Sequence, residues 1–181
     1  MQYVAFLRGI NVGTAKRVAM ADLRRVALGL GYTDVQTVLN SGNLVFSTVP
    51  ARARAAAVQI EAAVRDELGA SSAVTVVPMA DLAGAARHDP FGGLATIPSR
   101  LLVLFCRTTS ARTALGALAR REWRGEALAV HRGVGFAWCP RGIATSRLWK
   151  TLNAELGEGI TARNRATIDR ILMLHGSTPR D

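Results

Sequence analysis

Three cations, two glycines and an asparagine share one eleven-residue stretch, Arg8-Gly9-Ile10-Asn11-Val12-Gly13-Thr14-Ala15-Lys16-Arg17-Val18. That composition suits an anion: glycines let backbone N–H groups approach a ligand closely, and Arg8 and Lys16 add the charge that backbone dipoles lack. Gly9 and Gly13 are separated by three residues and Lys16 does not directly follow a glycine, so neither the dinucleotide fingerprint nor the phosphate loop is matched. The same glycines would equally serve a plain strand-to-helix connection that needs positive φ angles. A second polar cluster, Asn40-Ser41-Gly42-Asn43, packs three hydrogen-bonding side chains into four residues. These residue types form tight turns, and beside the first loop Asn40 or Asn43 would complete a ligand cage. A third, Thr161-Ala162-Arg163-Asn164, precedes a stretch with Ile168, Ile171 and Leu172 on one helical face. Thr161 is the expected N-cap, which places Arg163 and Arg165 in a first turn whose dipole favours anions. Either an anion arrives there or both cations face solvent.

No catalytic constellation accompanies these clusters. His88, His131 and His175 lack ligand spacing, and Cys106 and Cys139 fit no CxxC pattern, so neither a metal nor a cofactor is expected. Ser41 has no identifiable base, and His88 and Asp89 are adjacent, an arrangement in which side chains rarely face one another.

The elements that must position the clusters follow from apolar spacing. A strand over about 2–8 leads into the first loop, and Met20, Leu23, Ala27 and Leu30 then recur at helical spacing up to Gly31. Runs at 35–39 and 44–46 bracket the Asn-Ser-Gly-Asn turn as a hairpin. Pro50 opens a helix over 51–68 that Gly69 stops, a strand follows at 74–77 and a short helix at 79–87. The pattern then restarts with a strand at 101–105, a helix at 110–121, a hairpin of 127–130 with 135–138, and a helix at 146–156. Strand, helix, hairpin, helix occurs twice, at 2–68 and 101–156. This predicts a pseudo-duplicated α+β fold of ferredoxin-like type, with antiparallel sheets and helices on one side, divided into halves 1–90 and 91–181.

The chain has 181 residues, 49% hydrophobic and 20% charged, enough for a core and too apolar for disorder. No run of 18 apolar residues suggests a membrane span, and the N-terminus lacks the order of a signal peptide, so a cytoplasmic location with reduced, buried cysteines is expected. The formal charge of +10 is uneven: residues 1–90 carry nine Lys/Arg against seven Asp/Glu, and residues 91–181 fourteen against six. A basic half favours phosphate-bearing partners, although abundant arginine and alanine is also what a GC-rich genome yields.

Taken in order, the Arg8–Gly13 segment, the Val38–Phe46 hairpin and Thr161-x-Arg163-Asn164 with Thr167 resemble the bacterial family known as domain of unknown function 1697. The resemblance runs nearly end to end and implies a small cytoplasmic α+β protein of two related halves, with no established reaction. It marks Arg8, Gly9, Asn11, Gly13, Lys16, Asn40, Ser41, Gly42, Asn43, Thr161, Arg163, Asn164 and Thr167. Thr14 replaces a usual second glycine, leaving less room for backbone approach. Arg165 replaces a usual aromatic, removing a stacking surface and adding charge.

The marked side chains are donors to phosphate or carboxylate, and none titrates near neutral pH, so binding is better supported than catalysis. The expected ligand is nucleic acid or a phosphorylated small molecule. The alternatives are a transferase or hydrolase that stabilises charge on a phosphorylated substrate through Arg8, Lys16 and Arg163, and a regulatory module that meets a protein's acidic surface.

Overall fold

A computed structural model describes residues 1–11 and 17–175. The chain divides into two compact units, one built on Met1–Leu82 and the other on Ala83–Leu174. In the first, β1 (Gln2–Leu7), α1 (Met20–Gly29), β2 (Thr33–Val38), β3 (Asn43–Ser47), α2 (Pro50–Leu68) and β4 (Val74–Pro78) follow in order, and the sheet runs β2-β3-β1-β4. In the second, β5 (Leu101–Cys106), α4 (Thr109–Leu118), β6 (Ala127–His131), β7 (Val134–Trp138), α5 (Arg147–Leu156) and β8 (Ile160–Asn164) repeat that order, and the sheet runs β6-β7-β5-β8. Every neighbouring pair is antiparallel. Each unit is therefore a complete ferredoxin-like βαββαβ sheet. A further helix follows each fourth strand, α3 (Met79–Arg87) and α6 (Arg165–His175).

Period-two alternation decides which face of the sheet meets the helices. Tyr3, Ala5 and Leu7 of β1 join Leu44 and Phe46 of β3, and against them lie Leu23, Val26 and Ala27 of α1 with Ala56, Ile60 and Val64 of α2. Those three α2 residues fall every fourth position and are fully buried. Pro50 supplies a preset φ at the helix start, and Gly69, at φ 62°, ends it by donating its N–H to the Arg65 carbonyl. In the second unit Leu102, Leu104, Ala137 and Cys139 pack with Leu115 of α4 and Leu148, Leu152 and Leu156 of α5.

The edge strand β2 carries an irregularity. Its register with β3 shifts between Thr33 and Gln36, where Asp34 takes φ 50°.

Both cysteines are free thiols, but only Cys139 is buried. Cys106 is the last residue of β5 and is half-buried, which corrects the expectation that both lie in the core. Burial raises the pKa of each thiol, opposed at Cys106 by the charge of Arg112.

Candidate functional site

The first loop begins where β1 ends. Arg8 donates its backbone N–H to the Ala73 carbonyl (2.9 Å), and its own carbonyl accepts from the Ser72 hydroxyl (2.8 Å). Gly9 (φ 69°) and Asn11 (φ 57°) both turn left-handed, the region that glycine and asparagine enter most readily. Asn11 then closes the loop with its side chain. Its Oδ1 accepts from the Val18 N–H (2.7 Å), while Nδ2 donates to the Val18 carbonyl (2.9 Å) and to the Asn40 carbonyl (3.0 Å). An amide presents a donor and an acceptor together, so one side chain stands in for a strand neighbour of Val18 and reaches the hairpin turn as well.

The turn is tied to the same place from its own side. Gly42 accepts from the Leu7 N–H (2.8 Å). Buried Asn43 donates from Nδ2 to the Val38 carbonyl (2.8 Å) and to the Ser41 hydroxyl (3.0 Å), fixing the turn while Asn40 and Ser41 stay exposed. The sheet end thus brings Arg8, Gly9 and Asn11 together with Asn40, Ser41 and Asn43. Within that group Asn11 and Asn43 build the backbone, their amides being committed to main-chain and turn atoms. Gly13 and Lys16 lie outside the described residues. Beside the far end of the loop opens a cleft of about 310 Å³ walled by Arg17, Val18, Asp22, Arg25, Glu67 and Leu68, with Arg25 held by Glu67 at 2.9 Å.

The two halves treat this end of the fold differently. The β1–α1 connection takes residues 8–19, whereas the equivalent β5–α4 connection takes only 107–108. The β2–β3 turn takes residues 39–42, and the β6–β7 turn only 132–133. The fold itself therefore does not require the long, polar connections of the first half, and long connections are where binding residues concentrate.

The third cluster requires a correction. Thr161, Arg163 and Asn164 are strand residues of β8, paired with Phe105, Val103 and Leu102, and Thr161 is fully buried. The N-cap is Asn164, whose Oδ1 accepts from the Thr167 N–H at 2.9 Å, so the helix starts at Arg165 and Arg163 is outside its first turn. Arg165 is answered one turn on by Asp169, at 2.7 Å. Opposition between two cations and the dipole is thus no sign of an absent anion.

One pairing was invisible in the sequence. The His88 and His131 rings stack with centroids 3.9 Å apart and planes 19° off parallel, and Phe136 lies 5.4 Å from His88. Forty-three positions separate the two histidines, and no local pattern signals the contact. The pKa of His131 is lowered, first by desolvation and then by the charges of His88 and Arg132. The neutral ring is the favoured form, so the unfolded chain binds more protons just below the ordinary histidine value. Stability from the stack is therefore fully present above about pH 6.5 and declines as the pH falls through the lowered value. Denaturant midpoints measured at ~pH 7.5 and ~pH 5 should drop less for His131→Phe than for wild type, and equal drops would remove the stack from the account.

Among the described residues no helix is long and apolar enough to cross a membrane. No curated protein matches the chain. Among solved structures, a conserved bacterial protein from Streptococcus pneumoniae, SP0830, superposes with a TM-score of 0.77 at 22% identity, covering 96% of this chain and 97% of that one. At that identity the likeness establishes the fold. The family model described as protein of unknown function, DUF1697, matches residues 1–136, three quarters of the length, and with the duplicated βαββαβ architecture in place the chain belongs to that family.

Proposed function

We propose that the sheet end formed by the 8–19 loop and the 39–42 turn binds a phosphate-bearing ligand, in a protein of the cytoplasm. The observation that carries this reading is the inequality of the two halves: one repeat makes the same connection in two residues, the other in twelve, and the extra length is rich in glycine and cations. Asn11 and Gly42 hold the start of the loop against the turn, so part of the ordering entropy that would oppose binding is already met. Arg8 contributes the charge-assisted bond.

Two probes separate the sources of phosphate. Inorganic pyrophosphate bound in a compact site should show mild salt dependence, whereas a single-stranded oligonucleotide should weaken steeply with salt. Arg8→Ala should weaken the productive probe roughly ten- to hundredfold, since a hydrogen bond to a charged group contributes about 1.5–3 kcal/mol. Arg54→Ala, on the exposed face of α2, should change little. Equal affinity for wild type and Arg8→Ala, with both folded, would reduce the loop to architecture.

A further inference from the structure

The register of the two sheets places the ends of the repeats in correspondence. Leu7 pairs with Val74 and Cys106 with Ile160, and the next residue in each half makes the same bond: Arg8 N–H to the Ala73 carbonyl at 2.9 Å, Arg107 N–H to the Gly159 carbonyl at 2.8 Å. Phe6 pairs with Asn43 and Phe105 with Val134, so Gly42 and Gly133 also correspond, at φ 72° and 81°. Arg107 is therefore the counterpart of Arg8.

Two further arginines reach that end of the second sheet from other elements. Arg112, in the first turn of α4, lies over the β6–β7 turn, with Cδ and Nε each 3.7 Å from where a Gly133 Cβ would stand. Arg132 is the other residue of that turn. All three are exposed, and Arg107 Nη1 lies 3.5 Å from the Glu158 main-chain carbonyl. The unit around them, Ala83–Leu174, holds fourteen Lys/Arg against six Asp/Glu.

We propose that Arg107, Arg112 and Arg132 form a contact surface for the sugar-phosphate backbone of nucleic acid, a second site that rests on the phosphate reading of the first half and narrows its ligand to nucleic acid. The two-residue connections here are too short to build an enclosing pocket. Three guanidinium forks from separate elements on an open surface suit a ligand whose phosphates recur along its length, because each fork matches one phosphate in two-point geometry. No base is read by such contacts, so binding should be indifferent to sequence.

The test measures affinity for a ~12-nucleotide single strand across a salt series. The proteins compared are wild type, Arg8→Ala, Arg54→Ala and the triple variant Arg107→Ala/Arg112→Ala/Arg132→Ala, with pyrophosphate as second probe. The triple variant removes exposed side chains, and a thermal melt matching wild type confirms its fold. The expected result is a slope of log K on log salt shallower by about two in the triple variant, since each phosphate contact on a single strand contributes roughly 0.7. Arg54→Ala should leave the slope unchanged. An unchanged slope in the triple variant, with Arg8→Ala still weakening binding, overturns the second site and leaves the phosphate reading of the first loop intact. So does pyrophosphate binding without oligonucleotide binding. Absence of both kinds of binding in wild type overturns the two readings together.

Discussion

Gly42→Ala should lower the stability of the first unit by about 2–5 kcal/mol, combining roughly 1–2 for a side chain at positive φ with 1–3 for overpacking. The added methyl would lie 2.4 Å from Ile10 Cγ2, 2.9 Å from Leu7 Cβ and 3.2 Å from the Leu7 carbonyl. Leu7 cannot give way, because its N–H is bonded to the Gly42 carbonyl and its side chain is fully buried in the α1–α2 core. Gly9→Ala is the matched control: its φ of 69° imposes the same strain, but among the described residues nothing lies within 4 Å of the new methyl. Urea unfolding should therefore show Gly42→Ala well below Gly9→Ala. Equal midpoints would mean that the turn does not press on the first loop as described.

Asn11→Ala is expected to lose about 2–4 kcal/mol, because three hydrogen bonds of roughly 1 kcal/mol each disappear and the Val18 N–H is left without its acceptor beside a side chain only 5% exposed. The local readout is sharper than the global one. Amide exchange at Val18 should accelerate strongly in Asn11→Ala and much less in Asn11→Asp, which keeps an Oδ1 acceptor but no donor. Wild-type protection at Val18 in the alanine variant would show that the loop is closed by other means. If the loop is the ligand site, Asn11→Ala should also weaken binding without Asn11 touching the ligand, and Asn11→Asp should recover part of it.

What the sequence made legible was local. The α2 limits can be read from Pro50, Gly69 and the fourfold spacing of Ile60 and Val64, and the β2–β3 hairpin from its Asn-Ser-Gly-Asn turn. The fourth strand of the first repeat could be read because Val74-Thr75-Val76-Val77 is β-branched throughout. Its counterpart β8 could not. Ile160-Thr161-Ala162-Arg163-Asn164 has a single large apolar residue, and it is a strand because β5 supplies the partner, a contact more than fifty residues distant in sequence. Capping was misassigned for the same reason: Thr161 and Asn164 are both good N-caps, and pairing with β5 leaves that place to Asn164. At the candidate site the meeting of loop and turn could be anticipated from their shared sheet end. The structural duty of Asn11 and Asn43 could not, since the residue types that bind ligands are also those that satisfy irregular backbone.

The kink at Asp34 bears on how copies of this protein meet. An open sheet edge invites another chain to continue the ladder, and an uninterrupted six-residue strand on the outside of the first sheet would be such an invitation. With the register broken between Thr33 and Gln36 and a charged residue at the break, the outer backbone groups of β2 no longer form an even row. Growth by strand addition is discouraged along that border, so copies of the first unit are kept from joining edge to edge into aggregates.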